Sequence, residues 1–176
     1  MPFPAVFADT NFLICVRDGS DPAKNARAIQ WHDHLWERKT GRTSAQVISE
    51  YYVNLKRVAG PAMTAVEAWH EAASYLAWKP QAIDEKMLVI AREIEGRYRI
   101  SWWDSLIVAA AQVQGCAILL TEDLQDGMAF GTVVVRSPFT LEVEESRAAY
   151  DVGASLPNPH RPRGRPRRVP QSPPNP

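Results

Sequence analysis

Short continuous apolar runs alternate along the chain with longer stretches in which apolar residues recur every three or four positions. The runs are bounded by turn-forming residues and predict strands buried on both faces, at residues 5–8, 117–120 and 132–135, with a weaker candidate at 42–45. The helical spacing covers residues 23–38, 46–58, 64–77, 84–98 and 102–114. Strands that alternate with helices predict a helix-rich α/β fold, in which helices flank a short, mostly parallel central sheet.

The apolar periodicity fades near residue 150, and the remainder is rich in proline and arginine. A length of 176 residues suits one domain with a full core. We therefore expect a globular domain at residues 1–145 and an extended or disordered tail at residues 146–176. The last 20 residues hold eight prolines and five arginines but no acid. The net charge of zero thus hides an acidic body with 15 basic and 20 acidic residues, which is not the profile of a general nucleic-acid binder.

Composition limits where the protein acts. No apolar run approaches the roughly 18 to 20 residues that a membrane-spanning helix needs, and Met1 to Pro4 lacks the layout of a secretory signal. Cys15 and Cys116 lie inside apolar segments and form no spaced pair, so reduced core thiols are expected. The sequence predicts a cytoplasmic protein without a membrane partner.

Four acidic residues carry the main chemical signal because each lies at the edge of an apolar segment. They are Asp9, Glu50, Asp104 and Asp123. Asp9 and Asp123 follow predicted strands, and ligands of parallel sheets bind beyond the carboxyl ends of the strands. Carboxylates that converge there repel one another unless a cation lies between them. Their shared placement indicates a divalent-metal site and, with it, phosphate chemistry.

Each acid taken alone also has an ordinary explanation. Asp9 fits a turn that closes a strand, and Glu50 fits the boundary of an apolar helix stripe. Asp104 has the capping-box spacing from Ser101, in which it would bond back to the backbone N–H of Ser101. Asp123 fits a solvated acidic turn. Four independent coincidences are needed if all of these explanations hold.

The order of the motifs resembles the PIN domain, and is closest in style to the toxin ribonucleases of VapBC-type toxin–antitoxin systems. The motifs are Asp-x-Asn at residues 9–11, Ser-Glu at 49–50, Trp-Asp-Ser-Leu-Ile-Val-Ala-Ala-Ala at 103–111 and Leu-Thr-Glu-Asp-Leu at 120–124. The resemblance covers residues 4–140 and implies a PIN-like fold with ribonuclease activity that depends on Mg²⁺ or Mn²⁺. It further implies an RNA substrate, a homodimer and a cognate antitoxin protein.

The resemblance also implies roles for individual residues. Asp9, Glu50 and Asp104 match the three acids that hold the metal, and Asp123 matches a more variable fourth acid. Asp126 is an alternative to Asp123. The supporting polar residues are Asn11 and Thr121. Whether one or two ions act is open.

Other features carry weaker signals. Six cations are candidates for binding RNA phosphates: Arg17, Arg42, Lys56, Arg57, Arg97 and Arg99. Trp102 and Trp103 could stack on a base, but at least one is expected in the core. His32 and His34 lie two apart on a predicted helix and face different directions, which argues against a zinc site.

Three competing functions stay open. A haloacid dehalogenase-type phosphatase also begins with a strand that ends in aspartate, but it needs a second acid where this chain has Asn11. A PIN-like nuclease could act in RNA or DNA processing without an antitoxin. A catalytically silent PIN scaffold is the third alternative, and a missing acid would be its mark.

Overall fold

The computed structural model describes residues 3–143. At its centre is a five-stranded sheet, which six α-helices flank. In chain order the elements are β1 (Val6–Ala8), α1 (Thr10–Arg17), α2 (Pro22–Arg38), β2 (Gly41–Arg42), α3 (Ala45–Ala59), α4 (Ala65–Ser74), α5 (Glu85–Tyr98), α6 (Trp102–Val113), β3 (Ile118–Leu120), β4 (Ala129–Phe130) and β5 (Val133–Arg136). Short 3₁₀ turns at Gly60–Ala62 and Tyr75–Trp78 precede and follow α4. The predicted helix-rich α/β architecture is confirmed.

The sheet order is β2-β1-β3-β5-β4, and every pairing is parallel except that of β4 with β5. All residues of β1 and β3 are buried, as the continuous apolar runs predict. Ala8 lies beside Leu120 in the register of these two strands. The residues that follow them, Asp9 and Thr121, therefore leave the sheet at the same edge.

Side-chain caps set the beginnings of the helices. Asp21, Ser44, Asp84 and Ser101 each accept a hydrogen bond from a backbone N–H in the first turn of the helix that follows. Thr64 and Glu67 form a complete capping box at the start of α4. These caps lie within a few residues of the helix starts that the sequence predicts.

The structure differs from the sequence prediction at four places. Residues 10–17 form helix α1, which the sequence does not predict, and the Asp9 side chain caps this helix. The two-residue strand β4 was not predicted. The weak strand candidate at 42–45 lies at Gly41–Arg42, and Ser44 already caps α3. The helix predicted over 64–77 ends at Ser74 and continues as a 3₁₀ turn.

The predicted domain boundary at residue 145 and the Pro/Arg-rich tail lie outside the described residues, so both stay predictions. No helix within residues 3–143 is long and apolar enough to cross a membrane. Cys116 is buried and Cys15 is half-buried, and both are free thiols.

Gly41 is packed directly against the ring of Trp78. A Cβ at this position would lie 2.6 Å from Cε2 of Trp78, which is only 4% exposed. We expect Gly41→Ala to lower the free energy of unfolding by about 1 to 3 kcal/mol because the ring must move within a packed core. Urea denaturation of this variant and of Gly19→Ala measures the effect. A Cβ at Gly19 meets nothing within 4 Å, so an equal loss in both variants would contradict the prediction.

Candidate functional site

Asp9 is the buried centre of a polar network at the carboxyl edge of the sheet. Its residue is 6% exposed, and both carboxylate oxygens accept hydrogen bonds. Oδ1 accepts from the backbone N–H of Thr10 at 2.7 Å, and Oδ2 accepts from the hydroxyl of Thr121 at 2.8 Å. Because one bond caps α1 and the other comes from the end of β3, the two elements fix the position of this carboxylate.

The Thr121 hydroxyl joins three residues at the ends of neighbouring strands. It donates to Asp9 and accepts from Nδ2 of Asn11 at 2.9 Å and from the backbone N–H of Asp123 at 3.1 Å. A hydroxyl has one donor and two acceptor positions, and all three are used. The supporting roles expected for Asn11 and Thr121 thus have a physical counterpart, although their part in catalysis stays a prediction.

Glu50 reaches the same network from α3. Its Oε2 accepts a hydrogen bond from the hydroxyl of Thr10 at 2.7 Å, and its Oε1 accepts one from Nε2 of Gln46 at 2.9 Å. Thr10 therefore bridges the two acids, since its backbone binds Asp9 and its side chain binds Glu50. Sequence reasoning missed both Thr10 and Gln46. The helical spacing of Gln46 and Glu50, four residues apart, was the available signal for one of them.

Burial and neighbouring charges raise the pKa of Asp9 to about 7. Loss of hydration is the largest cause, and the negative charges of Asp123 and Glu50 raise the pKa further. The hydrogen bonds from Thr121 and Thr10 oppose the rise, because they stabilise the charged carboxylate. Asp9, Glu50 and Asp123 thus form one cluster of interacting negative charges.

Asp104 lies in the first turn of α6, away from this hydrogen-bond network. Its Oδ2 accepts a hydrogen bond of 2.7 Å from the hydroxyl of Ser101. The backbone N–H of Asp104 in turn donates to Oγ of Ser101 at 3.1 Å. The predicted cap is therefore present, but it uses the Ser101 hydroxyl and not the Ser101 backbone N–H. Within residues 3–143 no hydrogen bond joins Asp104 to the other three acids. The C-terminus of α6 leads into the amino end of β3. Because the helix then runs back along the sheet, its N-terminal turn, which contains Asp104, lies toward the carboxyl edge.

Asp123 and Asp126 have different surroundings. The backbone of Asp123 is bonded to Thr121, and its charge acts on Asp9. Asp126 instead accepts hydrogen bonds from Nε of Arg136 at 3.1 Å and from the backbone N–H of Ser137 at 2.8 Å. Asp126 therefore stabilises the segment after β5, and Asp123 is the better candidate for the fourth acid.

The donor set fits a divalent ion that keeps much of its water. Within residues 3–143 no three acidic, histidine or cysteine side chains are close enough to hold a metal ion by themselves. Mg²⁺ commonly binds one or two carboxylates and retains several water molecules. Oδ1 of Asn11 is buried beside the cluster and accepts no hydrogen bond from the described residues, so it can accept one from such a water.

Among the other candidates, Arg17 is already paired, because its Nη2 donates to Glu71 at 2.5 Å. Trp102 packs against the core as expected for one of the two tryptophans, whereas Trp103 is 62% exposed. His32 and His34 make separate aromatic contacts, with Trp36 and with Trp31 respectively.

The hydroxyl of Thr10 provides a direct test of the network. We expect Thr10→Val to lower the apparent affinity for a divalent ion by about 10- to 100-fold, because Glu50 loses the donor that orients it. Thr10→Ser keeps the hydroxyl and should retain the wild-type affinity. Calorimetric titration with Mn²⁺ measures both variants, and equal affinities would show that Thr10 does not orient Glu50.

Comparison with known proteins gives the chain a family context. The family model of the PIN domain matches residues 6–125. A solved structure of the Mycobacterium tuberculosis toxin VapC20, which cleaves the sarcin-ricin loop, is similar to the chain with 24% identity and a TM-score of 0.49. The alignment covers 65% of this chain and 87% of that chain. No curated protein matches the chain.

Proposed function

The chain belongs to the PIN-domain family, and we propose that it is a metal-dependent endoribonuclease that hydrolyses RNA phosphodiester bonds. The observation that carries the proposal is the buried carboxylate of Asp9, which has a pKa of about 7 and lies beside Glu50 and Asp123. Strongly shifted pKa values at the ligand-binding edge of a parallel sheet are typical of functional sites. Burial is the main cause of this shift, and the nearby charges of Asp123 and Glu50 add to it.

The proposed metal is Mg²⁺ or Mn²⁺, which Asp9 and Asp104 would hold directly or through its retained water molecules. Glu50 would bind the ion directly or through water, and Asp123 would help a second ion that arrives with the substrate. When bound, such an ion neutralises charge on the phosphate and lowers the pKa of a water molecule. Thr10 and Thr121 hold Glu50 and Asp9 in place. Asp9 must lose its proton before it can bind the metal. Because its pKa is raised, this loss occurs only near neutral pH.

The sequence pattern supports a more specific biological role. Because the motifs resemble those of VapBC-type toxins, we propose a toxin that forms a homodimer and is held inactive by a cognate antitoxin in the cytoplasm. Purification after co-expression with the product of a neighbouring small gene tests the antitoxin. Light scattering of the purified protein tests the dimer.

One observation favours a second candidate, a PIN scaffold without catalytic activity. Asp104 makes its cap with Ser101 and no hydrogen bond to the other acids among the described residues. A scaffold does not require Asp104 to join the other three carboxylates. The two functions differ in whether the folded protein cleaves any RNA.

Cleavage of a labelled mixture of total tRNA and ribosomal RNA by the purified protein tests the proposed function. We expect cutting with Mg²⁺ or Mn²⁺ and none with EDTA, and the product ends will identify the substrate. A folded protein that cuts nothing with either ion would favour the scaffold. A PIN-like nuclease that acts without an antitoxin would cleave but bind no small partner.

Asp123 and Asp126 form a matched pair for the fourth acid. We expect Asp123→Asn to reduce the cleavage rate about tenfold because its charge acts at the site. Asp126→Asn should change the rate less than about twofold, because its carboxylate binds Arg136 and Ser137. Single-turnover rates measure the pair, and the reverse order of effects would assign the role to Asp126.

A further inference from the structure

A pocket lies toward the amino ends of the parallel strands, at the opposite edge of the sheet from the carboxylates. Its volume is about 340 Å³, and its lining includes Trp36, Lys39, Arg42, Trp78 and Lys79. The neighbouring Gly41 pairs with Val6, the first residue of β1, whereas Asp9 follows the last residue of β1. Along the strand direction the backbone of Gly41 is therefore roughly 10 Å from that of Asp9, at about 3.3 Å per residue.

The pocket concentrates positive charge on an acidic body. Three of its lining side chains are cationic and none is acidic. Lys39, Arg42 and Lys79 form no ion pair with any residue in the described range 3–143. Nη1 of Arg42 donates to the carbonyl of Gly41 at 2.8 Å, which holds the guanidinium at the pocket. A pocket with this excess of positive charge attracts an anionic ligand.

Backbone geometry brings two of the cations to the pocket. Lys39 directly follows α2 as its C-cap with a φ of 57°, and Lys79 follows the 3₁₀ turn in the same way with a φ of 53°. A lysine at a helix end also complements the negative end of the helix dipole. The dipole accounts for Lys39 and Lys79, but it does not account for Arg42. It also does not account for the aromatic wall of the pocket, which Trp36 and Trp78 form.

The aromatic wall is rigid. The rings of Trp36 and Trp78 lie 5.3 Å apart between centroids. Trp36 donates a hydrogen bond of 2.9 Å to Nε2 of His32, and Trp78 packs against the Gly41 backbone. Trp36 is half-buried, so part of its ring faces the pocket. A fixed indole beside cationic side chains is the combination that binds a base and its phosphate.

We propose that this pocket binds one nucleotide of single-stranded RNA, with the base against Trp36 and the phosphate among Lys39, Arg42 and Lys79. The inference rests on the proposed ribonuclease function, because it makes the pocket a second contact for the RNA that is cleaved at the acidic edge. The volume lies within the range of small-ligand sites. Such a contact increases affinity for RNA without a role in the cleavage chemistry.

A binding experiment that excludes cleavage tests the pocket. A dye-labelled 2′-O-methyl oligonucleotide, which has no free 2′-hydroxyl, is titrated in EDTA with the full chain and followed by fluorescence polarisation. We expect the double variant Lys39→Gln/Lys79→Gln to weaken binding about tenfold and to reduce the magnitude of the salt slope by up to about 0.7, since the pocket contacts one phosphate and each such contact on a single strand contributes roughly 0.7. The control Lys86→Gln/Arg92→Gln removes the same charge from the exposed face of α5 and should bind as the wild type does.

The outcomes separate the pocket from the proposed function. Wild-type protein that binds no oligonucleotide, or two double variants with equal affinity, would overturn the pocket. Competition by inorganic phosphate as strong as that by a mononucleotide would overturn base recognition. A protein that fails to cleave RNA but loses oligonucleotide binding only in the Lys39→Gln/Lys79→Gln variant would retain the pocket and refute the nuclease.

Discussion

Asp9→Asn is expected to make the metal-free protein more stable above pH 7 by about 2 to 4 kcal/mol. In the folded protein Asp9 has a pKa of about 7, against an ordinary value of 3.8. Between these two values the unfolded chain has lost the proton while the folded chain retains it, so stability falls by about 1.4 kcal/mol per pH unit. Asparagine does not titrate, and its variant avoids this loss. The new amide N–H₂ faces the Thr121 hydroxyl, which makes the gain smaller than the full titration energy.

Urea denaturation of both proteins at a series of pH values between 4 and 8, with EDTA present, measures this effect. Near pH 4 the variant should be no more stable than the wild type, and its stability relative to the wild type should rise up to about pH 7. Mg²⁺ added at pH 8 should stabilise the wild type and leave Asp9→Asn unchanged, because the ion binds the charged carboxylate. Curves that stay parallel throughout would mean that Asp9 is ionised in the folded protein at ordinary pH.

Glu50→Gln is expected to lower the RNA cleavage rate by a factor of about 10² to 10³, equal to roughly 3 to 4 kcal/mol of transition-state stabilisation. Glutamine retains the size of the side chain and can still accept the hydrogen bond from Thr10, so the loss reports the charge and not the packing. Glu93→Gln is the matched control, because Glu93 is exposed on α5. Single-turnover cleavage with both variants measures the difference, and a Glu50→Gln rate within threefold of the wild type would remove Glu50 from the site.

The central part of the fold could be predicted because its signals are local. The strands β1, β3 and β5 are buried on both faces, and continuous apolar runs report such burial directly. Helix α1 could not be predicted in the same way. It begins immediately after a buried strand, and its cap is Asp9. An aspartate directly after a strand is equally typical of a simple turn, so the sequence does not distinguish the two. The strand β4 contains two residues, too few to show an alternating pattern.

The candidate site was predictable as a set of acids, but its connections were not. Parallel-sheet topology is enough to place Asp9 and Thr121 at one edge, because Asp9 directly follows β1 and Thr121 directly follows the parallel strand β3. The bridge from Thr10 to Glu50 joins residues 40 positions apart, and only the packing of α3 beside α1 brings them together. Asp104 shows the opposite case, since its local spacing correctly predicts a cap at Ser101 but gives no information about its distance from Asp9.

The most direct test of a metal-dependent acidic nuclease site is the rate of RNA cleavage as a function of Mn²⁺ concentration for the wild type, Asp9→Asn and Asp104→Asn. We expect a saturable rise for the wild type and at least a hundredfold lower rates for both variants at every concentration. Folding of each protein is checked by circular dichroism. Cleavage by Asp9→Asn at the wild-type rate, or wild-type cleavage that persists in EDTA, would contradict the account.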